Sequence, residues 1–228
     1  TLDIINEYDH VDLTVEPDKG MSDAINKGFK AAKGKWVMWL NTDDRLKPGA
    51  LSAVKTFAES TPKSDVIYGA LEFIDGDGNF QRTMEVFTFQ KLMLAQYGCY
   101  IGSTSTFLRR STIMDEGIFL NDRFRIVMDG EYYNRLSQLG KKFTHFPMVL
   151  ADFRVHGGNL SKKNLNPSEV NGILDKQLQY AESGAIRRAY GVTLFGNEYL
   201  NGVVDCFLYY AFRCIKWPLK MFNKPAKL

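Results

Sequence analysis

Three observations predict an α/β fold. Trp36–Leu40 is five consecutive apolar residues running straight into Asn41-Thr42-Asp43-Asp44. A short, wholly apolar run bounded by polar turns reads as a buried strand. Before it come an alternating stretch and an amphipathic one, so strand, loop, helix and strand follow within about thirty residues, as in a βαβ unit. The composition, 45% hydrophobic and 24% charged over 228 residues, is globular and long enough for one large domain with an appendage.

In chain order, Thr1 to Tyr8 reads as the end of a helix, with Leu2 and Ile5 on one side. Val11–Val15 alternates and predicts a short strand. Glu16-Pro17-Asp18-Lys19-Gly20 is turn-rich, and Ser22 suits the N-cap of a helix over 23–32 whose inner face carries Ile25, Gly28, Phe29 and Ala32. The strand Trp36–Leu40 follows. Pro48 starts a helix with Leu51, Val54, Phe57 and Ala58 inward. Val66–Ile74 predicts a strand, and Asp75–Asn79 a turn onto Phe80–Met84. Phe87–Tyr97 reads as a helix, Ser103–Leu108 as β-prone, and Ser111 starts a short helix. Asp129 opens a helix with Tyr132, Tyr133, Leu136 and Leu139 inward, closed by Gly140. Phe143–Phe153 is strand-like despite Pro147, and a longer helix runs from Pro167 to about Tyr190.

The last stretch differs. Leu200, Val203, Val204, Phe207, Leu208, Ala211, Phe212 and Ile215 make a wide apolar stripe, and Arg213, Lys216, Lys220 and Lys224 gather beside Trp217 and Phe222. Charges interrupt it too often for a membrane span. It suits a helix lying in a membrane interface or docked on its own domain, and the clustered basic end favours the membrane.

A net charge of +3 gives no reason to expect a nucleic-acid partner. Three cysteines, Cys99, Cys206 and Cys214, have no metal-ligand spacing and point to a reducing compartment, hence the cytoplasm.

The chemistry concentrates in a few residues. In an open α/β sheet, ligands bind beyond the carboxyl ends of the strands, which is where Asp43 and Asp44 stand. Hard oxygen ligands there suit Mg²⁺ or Mn²⁺ shared with substrate phosphates. The loop leading into the helix at 23–32 offers backbone amides and Gly20 for close approach to a phosphate or ribose. Lys19 suits a diphosphate, and Asp18 and Asp23 suit ribose hydroxyls or a base. Asp129 is a candidate general base and His156 a candidate metal or phosphate contact. Arg109, Arg110, Arg154 and Lys162 are either diphosphate clamps or surface charges. Taken singly, each has a plainer role: Asn41–Asp44 as a turn, Asp23 and Asp129 as helix-start residues, Lys19 and His156 as solvated side chains.

Their order is informative. "EPDKGMSDAINKGFKAAKGKWVMWLNTDDRLKPGAL" resembles the nucleotide-sugar region of inverting family 2 glycosyltransferases with the GT-A fold, and "STSTFLRRS", "RIVMDGEYYNRL" and "FRVHGGNLS" follow in that family's order. The resemblance, to the bacterial cell-surface polysaccharide members, covers roughly residues 1–163. It implies a GT-A, Rossmann-like domain over 1–163 with a mixed, mostly parallel sheet flanked by helices, and a helical extension over 164–228. It implies that Asn41-Thr42-Asp43-Asp44 is the DxD-type motif, with Asp43 and Asp44 on the metal. Asp129 matches the catalytic base, Met128 standing where the family has Glu. Asp18, Lys19, Gly20, Asp23 and Asn26, with Asn41, match nucleotide-sugar contacts, and His156 a loop near the donor phosphates. It also implies an opening strand–helix segment ahead of Thr1.

The expected activity is therefore metal-dependent transfer, with inversion, of a hexosyl group from a nucleotide-diphosphate sugar, a UDP-sugar, to a hydroxyl of a glycan or lipid-linked glycan. The site of action would be the cytoplasmic face of the membrane. The alternatives are a non-catalytic nucleotide-sugar-binding or assembly module, and a nucleotidyltransferase on a related sheet.

Overall fold

Six strands form one mixed sheet in the computed structural model of the chain, which describes residues 2–84, 86–156, 159, 170–191, 207 and 211. The elements are α1 (Leu2–Ile5), α2 (Met21–Ala31), β1 (Trp36–Val37), β2 (Arg45–Leu46), α3 (Ala50–Ser60), β3 (Val66–Ile74) and β4 (Phe80–Met84). After them come α4 (Lys91–Gln96), a 3-10 turn (Ser103–Ser105), β5 (Thr106–Arg109), α5 (Arg110–Met114), α6 (Met128–Gln138), β6 (Phe143–Arg154) and α7 (Val170–Tyr190). The strand order is β1-β5-β3-β6-β2, with β4 paired to β3. β3 and β6 are parallel neighbours, and β1 shares their direction through the antiparallel β5. The expected α/β sheet of mixed direction flanked by helices is there, but it is not mostly parallel: β3–β6 is the one parallel pairing among the described residues, and β1–β5, β5–β3, β3–β4 and β6–β2 are antiparallel.

The sheet is covered on both faces, as near-continuous apolar strands require. On one face Phe29 of α2, Trp39, Tyr68, and Tyr132, Tyr133 and Leu136 of α6 are buried together. Trp39 stacks on Tyr133 at 6.3 Å and meets Phe29 edge-on at 5.9 Å. On the other face Ala50, Val54 and Ala58 of α3 pack on Ile67, Phe107 and Leu150. α7 packs against α4 and α6.

Several expectations are corrected. Residues 11–15 form no strand: no neighbouring strand runs beside them among the described residues, and Val15 is 69% exposed. The run Trp36–Leu40 pairs only over Trp36–Val37, although Trp39 is buried among helix residues. Ser22 is not an N-cap; Gly20 takes that position at φ 126°, and Ser22 is buried inside α2. The helix expected at 87–97 shrinks to α4, and Leu51 and Leu139 point outward while Ala50 takes the buried position in α3. Pro147 is absorbed where the β3–β6 register shifts, between Tyr68↔His145 and Ala70↔Val149.

Within 199–222 only Phe207 and Ala211 are described, so the rest of the amphipathic stripe lies outside the described residues with Cys206 and Cys214, as does Lys162. No helix among the described residues is long and apolar enough to cross a membrane.

Candidate functional site

A cleft of about 700 Å³ opens where the chain leaves β1. Trp39 to Asp43 contribute to its lining, as do Met128 and Asp129 at the start of α6, Gly102 to Thr104, and Asn159. A second hollow of about 370 Å³, under α3, is lined by Trp36, Met38, Leu51 and Phe107 and holds none of the candidate residues.

The adjacent carboxylates have opposite surroundings. Asp44 is buried, and both its oxygens are engaged: Oδ1 accepts from the Arg154 N–H at 2.9 Å, and Oδ2 from Thr104 Oγ1 at 3.0 Å and Asn41 Nδ2 at 3.2 Å. Burial pushes its carboxyl up, against the pull of those hydrogen bonds. Asp43 faces the cleft. Its Oδ2 lies 2.9 Å from His156 Nε2 and 3.3 Å from Asn159 Nδ2. Asp44, expected as a metal ligand, is thus buried under the turn with both oxygens engaged, and Asp43 is the carboxylate that lines the cleft.

Arg154 fixes the turn from the other side. Its Nε donates to the Asp43 carbonyl at 3.0 Å, and Nη1 to the carbonyls of Asp75 and Gly76 at 3.2 and 2.8 Å. That engages the guanidinium with backbone rather than leaving it as a diphosphate clamp. Arg109 is likewise occupied, by the carbonyls of Ser64 and Pro62.

Asp129 sits in the first turn of α6, but the N-cap is Val127, so capping does not account for it. Its Oδ1 accepts from the Gly130 N–H at 2.7 Å. Burial pushes its carboxyl up, partly offset by that bond, and a carboxylate with a raised pKa is better matched to proton abstraction near neutral pH.

The segment expected to line a nucleotide pocket is engaged with itself. Asp18 Oδ1 accepts from the Gly20 N–H at 2.8 Å, and Asp23 Oδ2 from the Lys19 N–H at 3.0 Å. The Lys19 N–H, then Lys27, hold the Asp23 carboxyl below its usual range. Asn26 is spent on one backbone residue: Nδ2 donates to Leu120 O and Oδ1 accepts from Leu120 N, both at 2.9 Å. Of this segment only Met21 lines the cleft. Asn41, Asp43 and Asp129 come together there, with His156 joined through Asp43; Asp18, Lys19, Gly20, Asp23 and Asn26 do not. Sequence reasoning missed Thr104 and Asn159, although both lie in the quoted segments "STST" and "HGGN".

A family model described as Glycosyl transferase family 2 matches residues 1–118, just over half of the chain. A "PGL/p-HBAD biosynthesis glycosyltransferase" of Mycobacterium bovis is 28% identical over 167 residues, covering 69% of this chain and 62% of the relative. The chondroitin synthase of Pasteurella multocida is 26% identical over 179 residues, covering 75% of this chain and 18% of the relative. The chain thus spans about six-tenths, or far less, of the curated relatives it matches. The crystal structure of S. aureus TarS 1-349 in complex with UDP superposes with a TM-score of 0.52 at 16% identity, covering 78% of this chain and 56% of that one, a likeness of fold.

Proposed function

The chain belongs to glycosyl transferase family 2, and from that premise we propose that it moves a sugar from a UDP-sugar to a hydroxyl of a glycan or lipid-linked glycan, inverting the anomeric carbon. One observation carries the reading: two carboxylates from separate elements, Asp43 and Asp129, face a single cleft. They divide the work. Asp43 holds the donor diphosphate end with His156 and Asn159 around it. Asp129 takes the proton from the acceptor hydroxyl, which attacks the anomeric carbon opposite the departing UDP. One displacement needs one base and no enzyme nucleophile, and the outcome is inversion.

The donor set fits a divalent cation. The Asp43 carboxylate suits Mn²⁺ or Mg²⁺ that keeps its remaining positions for water and phosphate oxygens, and the His156 imidazole, 2.9 Å from it, is a softer donor that favours Mn²⁺ over Mg²⁺. Such an ion would be shared with the donor diphosphate, whose oxygens supply further hard ligands. Bound there, it would neutralise the charge on the leaving diphosphate. Asp44, Thr104 and Arg154 keep Asp43 in place from beneath.

The UDP of the TarS complex supports the choice of nucleotide, and the chondroitin synthase among the curated relatives supports a glycan acceptor. The test is UDP release from a panel of UDP-sugars with Mn²⁺, beside calorimetric UDP titration. Asp129→Asn should keep UDP affinity and lose about a hundredfold or more in turnover. Asp43→Asn should lose Mn²⁺-dependent UDP affinity. Wild-type turnover in Asp129→Asn would overturn the assignment of the base. UDP binding by the intact chain without release from any sugar would leave a binding module.

A further inference from the structure

α7, like Asp129, lies beyond the residues the family model matches, and it holds the segment that carries Asp129. Glu182 of α7 is buried, 6% exposed. Its Oε1 accepts from the Arg125 N–H at 2.8 Å, and its Oε2 from the Ile126 and Val127 N–H groups at 2.9 and 3.1 Å. Three successive amides therefore converge on one carboxylate just ahead of α6, where the helix dipole also favours negative charge. Asp129 follows two residues after Val127. Arg125 and Ile126 themselves line the cleft, as does Gln179, one turn before Glu182 on α7.

Two further contacts tie the same helices together. Tyr190 Oη donates to Glu131 Oε1 at 3.0 Å, and Ile186 is buried against Gly130, where an added Cβ would sit 3.7 Å from Ile186 Cδ1. Residues 125–131 are thus held from α7 on both sides of Asp129.

We propose that Glu182 is a positioning residue for the Asp129 base, holding the backbone of residues 125–127 so that α7 sets where Asp129 stands against the acceptor wall of the cleft. The proposal rests on Asp129 as the base. It assigns α7 to the acceptor half of the active site, while the donor half around Asp43 stands without it. A misplacement of about 1 Å at a reacting group can lower a rate about a hundredfold, so a tie two residues from the base bears on turnover and not on donor binding.

The test uses the full chain. Glu182→Gln keeps the shape but loses the charge, and turns an amide N–H₂ toward a backbone donor. Glu182→Asp keeps the charge and withdraws it by one methylene, which serves if the glutamine variant does not fold. Tyr190→Phe removes a different α7 contact and is the control. In either Glu182 variant, amide exchange at 125–127 should quicken by about tenfold or more. UDP affinity with Mn²⁺ should stay within about twofold of wild type. These two readouts need no turnover. The kcat for the UDP-sugar should fall by about tenfold to a hundredfold at unchanged donor KM.

Unchanged exchange at 125–127, or a loss of UDP affinity alongside it, would overturn the proposal in favour of a general packing role. So would an equal rise in exchange in Tyr190→Phe, or an unchanged kcat. Failure of the parent reading is distinct: it shows as wild-type turnover in Asp129→Asn, whatever Glu182 does.

Discussion

Asn26 distinguishes a residue that binds nucleotide from one that binds its own chain. Its side-chain amide makes two bonds to the backbone of Leu120, each 2.9 Å, from a half-buried position on α2. Asn26→Ala removes both and leaves an N–H and a carbonyl without their partner. A typical intramolecular hydrogen bond contributes about 1 kcal/mol net, so two give about 2 kcal/mol. For a domain of this size that corresponds to a fall in Tm of about 4–8 °C. The assay is thermal or urea unfolding of the variant beside calorimetric titration with UDP and Mn²⁺. The expected result is lower stability with UDP affinity within about twofold of wild type. A loss of UDP affinity of about tenfold or more at unchanged Tm would refute the reasoning and return Asn26 to the nucleotide pocket.

Burial raises the Asp129 carboxyl above its ordinary 3.8, so the acid limb of the UDP-release profile should lie above that value and vanish in Asp129→Asn; a limb at or below 3.8 would refute the assignment. The same shift has a stability sign. As pH rises between 3.8 and the folded value, the unfolded chain ionises first and stability is lost, so Asp129→Asn should hold or raise the Tm at pH 7, and a lower Tm would contradict it. Gly69→Ala would put a Cβ 2.7 Å from the Met148 carbonyl and 2.6 Å from Leu150 Cδ1; we expect a loss of about 1–3 kcal/mol by urea unfolding, and a neutral result would mean the two strands can part there. The basic cluster at Lys216 and Lys220 should bind the full chain to anionic vesicles, weakening by about 1 kcal/mol for each Lys→Glu change in sedimentation at low salt; equal binding to neutral vesicles would contradict an electrostatic attachment.

What could be read in the sequence was whatever has a local period. The β3–β4 hairpin, the aromatic face of α6 and the cleft-edge position of the Asn41–Asp44 turn all follow from spacing and turn chemistry. Trp36–Leu40 shows the limit. An apolar run reports burial, but a strand also needs a neighbour, and only Trp36 and Val37 find one in β5. Asp43 and Asp44 are indistinguishable on paper, because which of two adjacent carboxylates turns inward depends on Thr104 and Arg154, 60 and 110 residues away. Glu182 carries no local signal at all; its three amide partners lie 55 to 57 residues upstream. The N-cap at Gly20 went unseen because a serine two residues on offered the more familiar chemistry.

The register between β3 and β6 sets an address. His145 lies opposite Tyr68 and Arg154 opposite Ile74, so nine steps along β6 answer six along β3. Two of the three surplus residues are taken up around Pro147, which has no N–H to commit to a ladder, and the third at Leu150, between Ala70↔Val149 and Leu71↔Ala151. Had the two strands run in even step, Ala151 would face Ile74, and Arg154 would overshoot the end of β3 and miss the Asp43–Asp44 turn. The irregularity near the start of β6 therefore works as a length adjustment for its far end. A deletion there, remote from the cleft, should be felt first as a displaced Asp43.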